Sequence, residues 1–445
     1  MVYPVESGSA VAYRQTPDIN QTDVDNALRQ IRADIPLNRS ALADQLRNPN
    51  LNQAERDKVI QTLARDNNQL LRFYANDASR LRDSDYAQLT TDEQTIADAV
   101  QTAYGDGAIN ADDLVRIADV NQVGNGGQRF LSILGQSGNA RVPGGAAEAL
   151  ADKLWERNGN DGTDRASAAI FYSSDPAMMS RNLDTPDKRA SAFESLVKFN
   201  ETAAYNKVPG PMSGIWKSEA LGGAGRIFTS HSQELIDRYT SVTPQHGAQT
   251  EVLSKFVSQT VLNPDAQGIW MDRRQDLVPA VKNAFGYAAD TFLARAKAAP
   301  TGSLERGDAL EQFGRLTASI SGGTALALKN YSDKVMANEE SKKAFTDLVG
   351  SLTGKVIKID TPVGNPAEKA ASALAGKLYD AMVKAPDRPD AALAGVLYDQ
   401  YTSRIAQLRA DTGDPSMSAD FNSGYAAELL NLQQNLNVNL GGYPK

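Results

Sequence analysis

The chain has no cysteine and only two histidines among its 445 residues, and these scarcities exclude several kinds of site. Without cysteine there is no thiol nucleophile, no disulfide and no thiolate-based zinc site. His231 and His246 are too few for a histidine-rich metal centre. Carboxylate chemistry is the class of catalysis that is hardest to exclude, because it needs only two acids that converge in space.

Aromatic residues are also scarce, at 7% of the chain, whereas hydrophobic residues as a whole make up 41%. Strands are enriched in aromatic and β-branched side chains, so this composition favours helices over sheets. We therefore expect an all-α protein made of two or three packed multi-helix segments, with enough apolar residues to bury a sizeable core.

Positive charge is not concentrated anywhere, and the formal net charge is −8. Nucleic acid is not an expected partner, because phosphate binding needs clustered lysine and arginine. No run of 18 apolar residues is present, so no transmembrane segment is expected. The start, MVYPVESGSAVAY, has no basic segment followed by an apolar one, which argues against a conventional secretion signal.

The length predicts two to four domains. Arginine is almost the only cation in the first third of the chain, while lysine predominates after residue 330. Stretches rich in glycine, serine and proline, at Gly135–Gly145 and Ala298–Asp308, are typical of linkers. We therefore predict segments 1–140, 141–300 and 301–445.

Local patterns predict where several helices begin and which faces they bury. Asn52 with Glu55, and Thr90 with Glu93, have the spacing of capping boxes at helix starts. Apolar residues spaced by three and four predict two longer helices, one from Leu277 and the other over Thr250–Leu262. The sequence KVIKI at Lys355–Ile359 is the one stretch with the character of a strand.

A short internal repeat predicts a helical hairpin in the last segment. Ala373–Asp380, ALAGKLYD, recurs as ALAGVLYD at Ala392–Asp399, across the turn sequence APDRPD. We interpret the two copies as antiparallel helices that approach closely at their Ala-Gly pairs. A chance recurrence in an alanine-rich region is the alternative.

The sequence TAYGDGAINADD, at Thr102–Asp113, has part of the pattern of an EF-hand loop. Asp106 and Asp113 stand at ligand positions five and twelve, and Gly107 occupies the sharp turn at position six. Thr102 and Tyr104 stand where calcium needs Asp or Asn. We therefore expect a degenerate EF-hand-like helix–loop–helix near residue 105 that holds no calcium, with Asp106 and Asp113 as the candidate metal ligands if an ion does bind. No other cofactor is expected.

Two residues are candidates for acid–base catalysis. Glu194, followed by Ser195 on a predicted helix, is similar to the Glu-Ser pair of lytic transglycosylases, in which a helix-borne glutamate is the general acid; that family's Gly-Leu-Met-Gln element is missing here. Ser230 and Gln233 form a capping-box pattern that predicts His231 in the first turn of a helix, where the imidazole would stay neutral. The alternatives are an exposed acid and a polar residue beside a cap.

Three stretches carry a resemblance to a known class of protein: Asn48–Leu51, GDGAINADDL at Gly105–Leu114, and LGGAGRIFTSHSQELIDRYT at Leu221–Thr240. Together with the serial short helices of the first third, they resemble bacterial secreted effectors and the non-catalytic helical regions of polymorphic toxins. The resemblance implies export without a signal peptide and a partner that is a protein or the secretion machinery. A cytoplasmic location is the alternative.

The exclusions and the resemblance together favour a helical, non-enzymatic module that acts in delivery, assembly or partner binding. Two alternatives remain open. One is a carboxylate-dependent effector hydrolase, for example acting on the cell wall, that uses Glu194 and His231. The other is a structural component of a phage or injection particle.

Overall fold

In a computed structural model of the chain, the described residues are 44–62, 83–118, 143–157, 163–205, 211–242, 248–264, 277–357 and 366–441, with the single positions 26, 29, 131, 134 and 135. Every regular element within these ranges is a helix, and the ranges contain no strand. The predicted all-α fold class is therefore confirmed for the described part of the chain.

The helices in the first half of the chain are α1 Asp83–Gly105, α2 Ala111–Ala118, α3 Ala146–Glu156, α4 Thr163–Tyr172, α5 Pro176–Asn182, α6 Pro186–Tyr205 and α7 Pro211–Ser230. Those in the second half are α8 Ser232–Thr240, α9 Thr250–Gln259, α10 Leu277–Ala298, α11 Leu304–Asn330, α12 Ser332–Val335, α13 Glu339–Ile357, α14 Pro366–Lys384, α15 Pro389–Thr412 and α16 Met417–Leu436. Residues 53–62 are helical as well.

The chain is divided into two compact units. The first consists of residues 1–154 with 209–212, and the second consists of residues 155–208 with 213–445. The second unit therefore includes both sides of the boundary that the sequence predicts at residue 300. Helices α10 and α11, on either side of it, pack against each other, so the glycine and proline there form a turn within one core.

In the first unit, one predicted helix start is confirmed and another is wrong. The Asn52 backbone N–H donates to Glu55 Oε2 at 3.0 Å, and the Glu55 N–H donates to Asn52 Oδ1 at 3.0 Å, which is a complete capping box. Thr90, in contrast, lies inside α1, which begins seven residues earlier at Asp83. A serine or threonine inside a helix can have the same spacing to an acid as a cap, so the pattern alone does not distinguish them.

The second unit is built around α11, in which every residue from Leu316 to Leu328 is buried. Its neighbours are α9, α10, α15 and α16. A helix surrounded on all sides needs an apolar surface all round, yet α11 carries several hydroxyl side chains. Each of these hydroxyls donates a hydrogen bond to a carbonyl oxygen three or four residues earlier in the same helix. The residues concerned are Thr317, Ser319, Ser321 and Thr324.

Glycine allows α11 and α16 to approach until their backbones touch. A Cβ atom built on Gly424 would overlap the carbonyl oxygen of Glu311, and one built on Gly314 would lie 2.5 Å from the carbonyl oxygen of Phe421. Real Cβ atoms do not come as close to a neighbouring atom as either of these two would. The crossing of the two central helices therefore requires glycine on both sides.

The helical periods predicted for α9 and α10 are confirmed, but the strand-like stretch is not a strand. Leu277, Val281, Phe285 and Phe292 form one buried stripe on α10. Lys355, Val356 and Ile357 form the last turn of α13, and the remainder of KVIKI lies outside the described residues. Tertiary packing outweighs β propensity here, because Val356 and Ile357 fill the core from a helix as well as they would from a strand.

The predicted hairpin is formed by α14 and α15, which pack against each other across a connection at residues 385–388. The predicted role of its glycines is wrong. Gly376 and Gly395 are exposed, and no atom of another described element lies within 4 Å of a Cβ added to either of them. The close approach in this region is between α13 and α14, where a Cβ on Gly350 would lie 2.9 Å from the carbonyl oxygen of Ala371 and 3.2 Å from the Cβ of Ala375.

Candidate functional site

Glu194 lies on α6, where its carboxylate accepts a hydrogen bond from Tyr239 on α8. The Tyr239 hydroxyl donates to Glu194 Oε1 at 3.1 Å, and it also lies 3.4 Å from the carbonyl oxygen of Ala190. Burial of the ring raises the pKa of Tyr239, and the neighbouring Glu194 charge raises it further. The phenol is therefore a permanent donor to the carboxylate.

An aromatic core fixes both partners of this hydrogen bond. Phe193, next to Glu194, lies with its ring centroid 4.9 Å from Phe256 and 5.8 Å from Phe228, and the Tyr239 ring is 5.9 Å away. All four rings are fully buried. Aromatic pairs at these separations stabilise a core beyond the area that they bury, so this cluster stabilises the packing of α6 and α8 here.

His231 lies between α7 and α8 rather than within the first turn of a helix. Ser230, the predicted cap, is the last residue of α7, so the predicted capping box is wrong; His231 occupies the N-cap position of α8, with no side-chain cap hydrogen bond. Its backbone N–H continues the ladder of α7 by donating to Ile227 O at 3.1 Å. A nearly continuous pair of helices leaves little room for a side-chain cap.

An ion pair between Arg189 and Glu234 lies beside His231. Arg189 Nε donates to Glu234 Oε1 at 2.8 Å, and its second nitrogen reaches Oε2 at 2.6 Å, a bidentate geometry. This hydrogen bonding is the main reason that the pKa of Glu234 is lowered. Partial burial lowers the pKa of His231, Arg189 lowers it further, and Glu234 opposes both. The sequence predicts a neutral imidazole because of a helix terminus. In the structure, burial and the charge of Arg189 are what favour the neutral form.

Glu194 and His231 do not act on each other in this structure. Within the described part of the chain, no hydrogen bond or ion pair joins them, because Glu194 faces Tyr239 whereas His231 lies beside the Arg189–Glu234 pair. Sequence reasoning missed Arg189 and Tyr239. Each is about 45 positions from its partner, and no local pattern marks so distant a contact.

Asp106 and Asp113 already have partners in the first unit. Asp113 Oδ2 accepts from the Asn110 N–H at 3.0 Å and its Oδ1 from Arg116 at 3.1 Å, while Asp106 lies 3.3 Å from Arg47. Helix α1 continues to Gly105, so only residues 106–110 separate it from α2. Asn110 and Asp113 thus form a capping box at the start of α2, a helix-start pattern that the calcium-loop alignment obscured.

Within the ranges that the structure describes, no group of three or more His, Asp or Glu side chains is arranged to hold a metal ion. Among the same residues, no helix combines the length and hydropathy needed to cross a lipid bilayer. Comparisons with protein-family models, with curated proteins and with solved structures found no match.

Proposed function

We propose that the chain is a helical, non-enzymatic module of a bacterial secreted effector or toxin that acts in delivery, assembly or partner binding. The observation that carries this proposal is the hydrogen bond from buried Tyr239 to Glu194. A general acid has to present its proton to a substrate, whereas this carboxylate serves as the acceptor for a buried phenol. The hydrogen bond with Tyr239 gives Glu194 a structural role, so catalysis is not needed to explain an acid at this position.

The surroundings of His231 support the same conclusion. A catalytic histidine is usually oriented by a carboxylate that accepts from one ring nitrogen. Glu234, the carboxylate whose charge acts on His231, already accepts two hydrogen bonds from Arg189. The pair joins α6 to α8, and a second ion pair, Arg238 with Asp187 at 2.6 Å, joins the same helices. Both ion pairs thus engage charged side chains in contacts between α6 and α8.

The remaining parts of the proposal rest on the sequence. The resemblance implies export without a signal peptide and a partner that is a protein or the secretion machinery. The dispersed positive charge of the chain argues against a nucleic-acid partner. We propose that the turn at residues 106–110 binds no calcium, since the Asp106 and Asp113 carboxylates are engaged by Arg47 and Arg116.

Growth of a laboratory bacterium that expresses the chain, once in the cytoplasm and once directed to the periplasm, tests the proposal. Cultures with the unmodified chain, Glu194→Gln and His231→Ala should grow equally in both compartments. Killing by the unmodified chain that a folded Glu194→Gln variant no longer causes would overturn the proposal in favour of a carboxylate-dependent hydrolase. Circular dichroism of the purified variants establishes that they are folded.

Light scattering after size-exclusion chromatography separates the module from a particle component. We expect a small species of constant mass over the whole concentration range. Growth in mass towards large, regular assemblies as the concentration rises would instead identify a structural subunit of a phage or injection particle.

A further inference from the structure

Lys282 on α10 and Lys355 on α13 are two cations that lie close together where these helices pack against each other. Lys282 Nζ is 3.0 Å from the hydroxyl oxygen of Ser351, which is one helical turn before Lys355. Lys355 packs against Gly286, which is one turn after Lys282. A Cβ atom built on Gly286 would lie 3.2 Å from the Cβ of Lys355. The two helices thus run in the same direction, with both lysines on the facing sides.

The long side chain of a helical residue generally leans towards the start of its helix, which for Lys355 is the direction of Ser351. The charge of Lys355 acts on Lys282, which agrees with that direction. Burial lowers the pKa of Lys282, and the charge of Lys355 lowers it further. Neither lysine has an ion pair with an acid in the part of the chain that the structure describes, although the whole chain has 54 acidic residues and only 46 basic ones. Two adjacent cations repel each other, and a bound anion would relieve that repulsion.

The hydroxyl of Ser351 completes a set of three donors. The ammonium group of Lys282 donates to the Ser351 oxygen, which leaves the hydroxyl proton free to point elsewhere. Lys282 and Ser351 are half-buried and Lys355 is exposed, so the set is open to solvent on one side. Two ammonium groups and a hydroxyl on adjacent turns can supply three donors, which suit the three terminal oxygens of a phosphate group better than the two oxygens of a carboxylate.

We propose that Lys282, Ser351 and Lys355 form an anion site for a phosphate group, either the free ion or the phosphate of a monoester. Lys282 and Lys355 supply charge as ammonium donors, and Ser351 supplies a neutral hydrogen bond that orients the group. The site lies wholly on α10 and α13 and includes neither Glu194 nor His231, and it stands whether or not the chain is a delivered module.

Calorimetric titration of the full chain at constant ionic strength, with inorganic phosphate in one arm and glycerol phosphate in the other, tests the site. Hydrogen bonds to charged groups contribute enough that losing one should weaken binding by about tenfold or more. We expect such a loss for Lys355→Met and for Lys282→Met, and a loss of several-fold for Ser351→Ala. Lys355→Arg should retain most of the affinity.

Lys297→Met is the matched control, since Lys297 is an exposed lysine on α10 that has no part in the site. It should bind phosphate as the unmodified chain does. Tighter binding of glycerol phosphate would identify a monoester as the ligand, and tighter binding of the inorganic ion would identify free phosphate. Equal affinities for Lys355→Met and Lys297→Met, or no heat of binding in either arm, would overturn the proposal; because Lys355 is exposed, its substitution tests the site without threatening the fold.

Discussion

Arg306, near the start of α11, donates to Asp414 across 2.6 Å, and the side chains of this ion pair are only 6% and 3% exposed. The same guanidinium donates to Thr301 Oγ1 at 3.1 Å and to the carbonyl oxygen of Ala299. Asp414 in turn accepts from the backbone and hydroxyl of Ser416 at 2.9 and 2.8 Å. The pair therefore joins the turn before α11 to the turn before α16.

We expect Asp414→Asn to lower the free energy of unfolding at pH 7, because it leaves the buried guanidinium of Arg306 without its counter-charge. The pKa of Asp414 is lowered from 3.8 to about 2, first by the hydrogen bond from Arg306 and then by Ser416. A carboxyl group with a lowered pKa stabilises the fold above its unfolded-state pKa, and the contribution disappears as the pH falls through the native pKa.

Urea denaturation of the unmodified chain and of Asp414→Asn, from pH 7 to pH 2, measures this contribution. The difference in midpoint should be greatest at pH 7 and should shrink between about pH 4 and about pH 2. Asp387→Asn, at an exposed aspartate, should show no such difference. A constant gap at every pH would mean that the ionised carboxylate is not what stabilises this turn.

Gly424→Ala should destabilise the second unit by about 1–3 kcal/mol or more, because a Cβ atom there overlaps the backbone of Glu311 and forces α11 and α16 apart. Gly395→Ala is the matched control: it lies inside α15 with open space around it, and alanine should stabilise that helix by about 0.5–1 kcal/mol. Urea midpoints of the two variants should therefore move in opposite directions. An unchanged urea midpoint for Gly424→Ala would show that α11 and α16 can accommodate a Cβ atom at their crossing.

The His231 imidazole should titrate below its usual pKa of 6.5, because burial and the charge of Arg189 both disfavour the imidazolium. Arg189→Met should raise this pKa, since it removes a cation and leaves Glu234 unneutralised beside the ring. NMR titration of the imidazole protons measures both values. The chain has only one other histidine, so a His231→Ala sample assigns the signals. An unchanged pKa in Arg189→Met would contradict the placement of this ion pair.

Glu428→Gln should stabilise the fold at pH 7. Glu428 is buried and accepts a hydrogen bond from Thr250 at 2.5 Å, and burial raises its pKa above 4.5. A group with a raised pKa contributes stability below its unfolded-state pKa, and this contribution is lost as the pH rises through the native pKa. At neutral pH the ionised carboxylate therefore bears a desolvation cost that the glutamine amide avoids, while the amide oxygen still accepts from Thr250.

Urea midpoints from pH 4 to pH 8 test this expectation. The advantage of Glu428→Gln should grow with pH and be smallest at pH 4. Glu156→Gln, at an exposed glutamate, should show no comparable trend. If Glu428→Gln is the less stable protein at pH 7, then the ionised carboxylate contributes more through Thr250 than its burial costs.

Local sequence patterns predicted helices well where one element contains the whole signal. The Asn52–Glu55 capping box and the apolar stripe from Leu277 are properties of a few turns, and both appear in the structure as predicted. The same kind of pattern was wrong at Ser230, because whether a residue begins or ends a helix depends on its neighbours in space. The candidate site could be predicted only as two separate residues, Glu194 and His231.

The sequence by itself determined the helical fold class, through its few aromatic residues and its three-and-four spacing, and it determined the absence of thiol chemistry. Only the tertiary structure decided that Glu194 accepts a hydrogen bond from Tyr239, that α11 is the buried central helix of the second unit, and that Lys282 lies close to Lys355. Helix formation follows interactions over one or two turns, which a sequence displays directly. Contacts between residues 45 to 178 positions apart depend on how the whole core packs, and no local pattern records them.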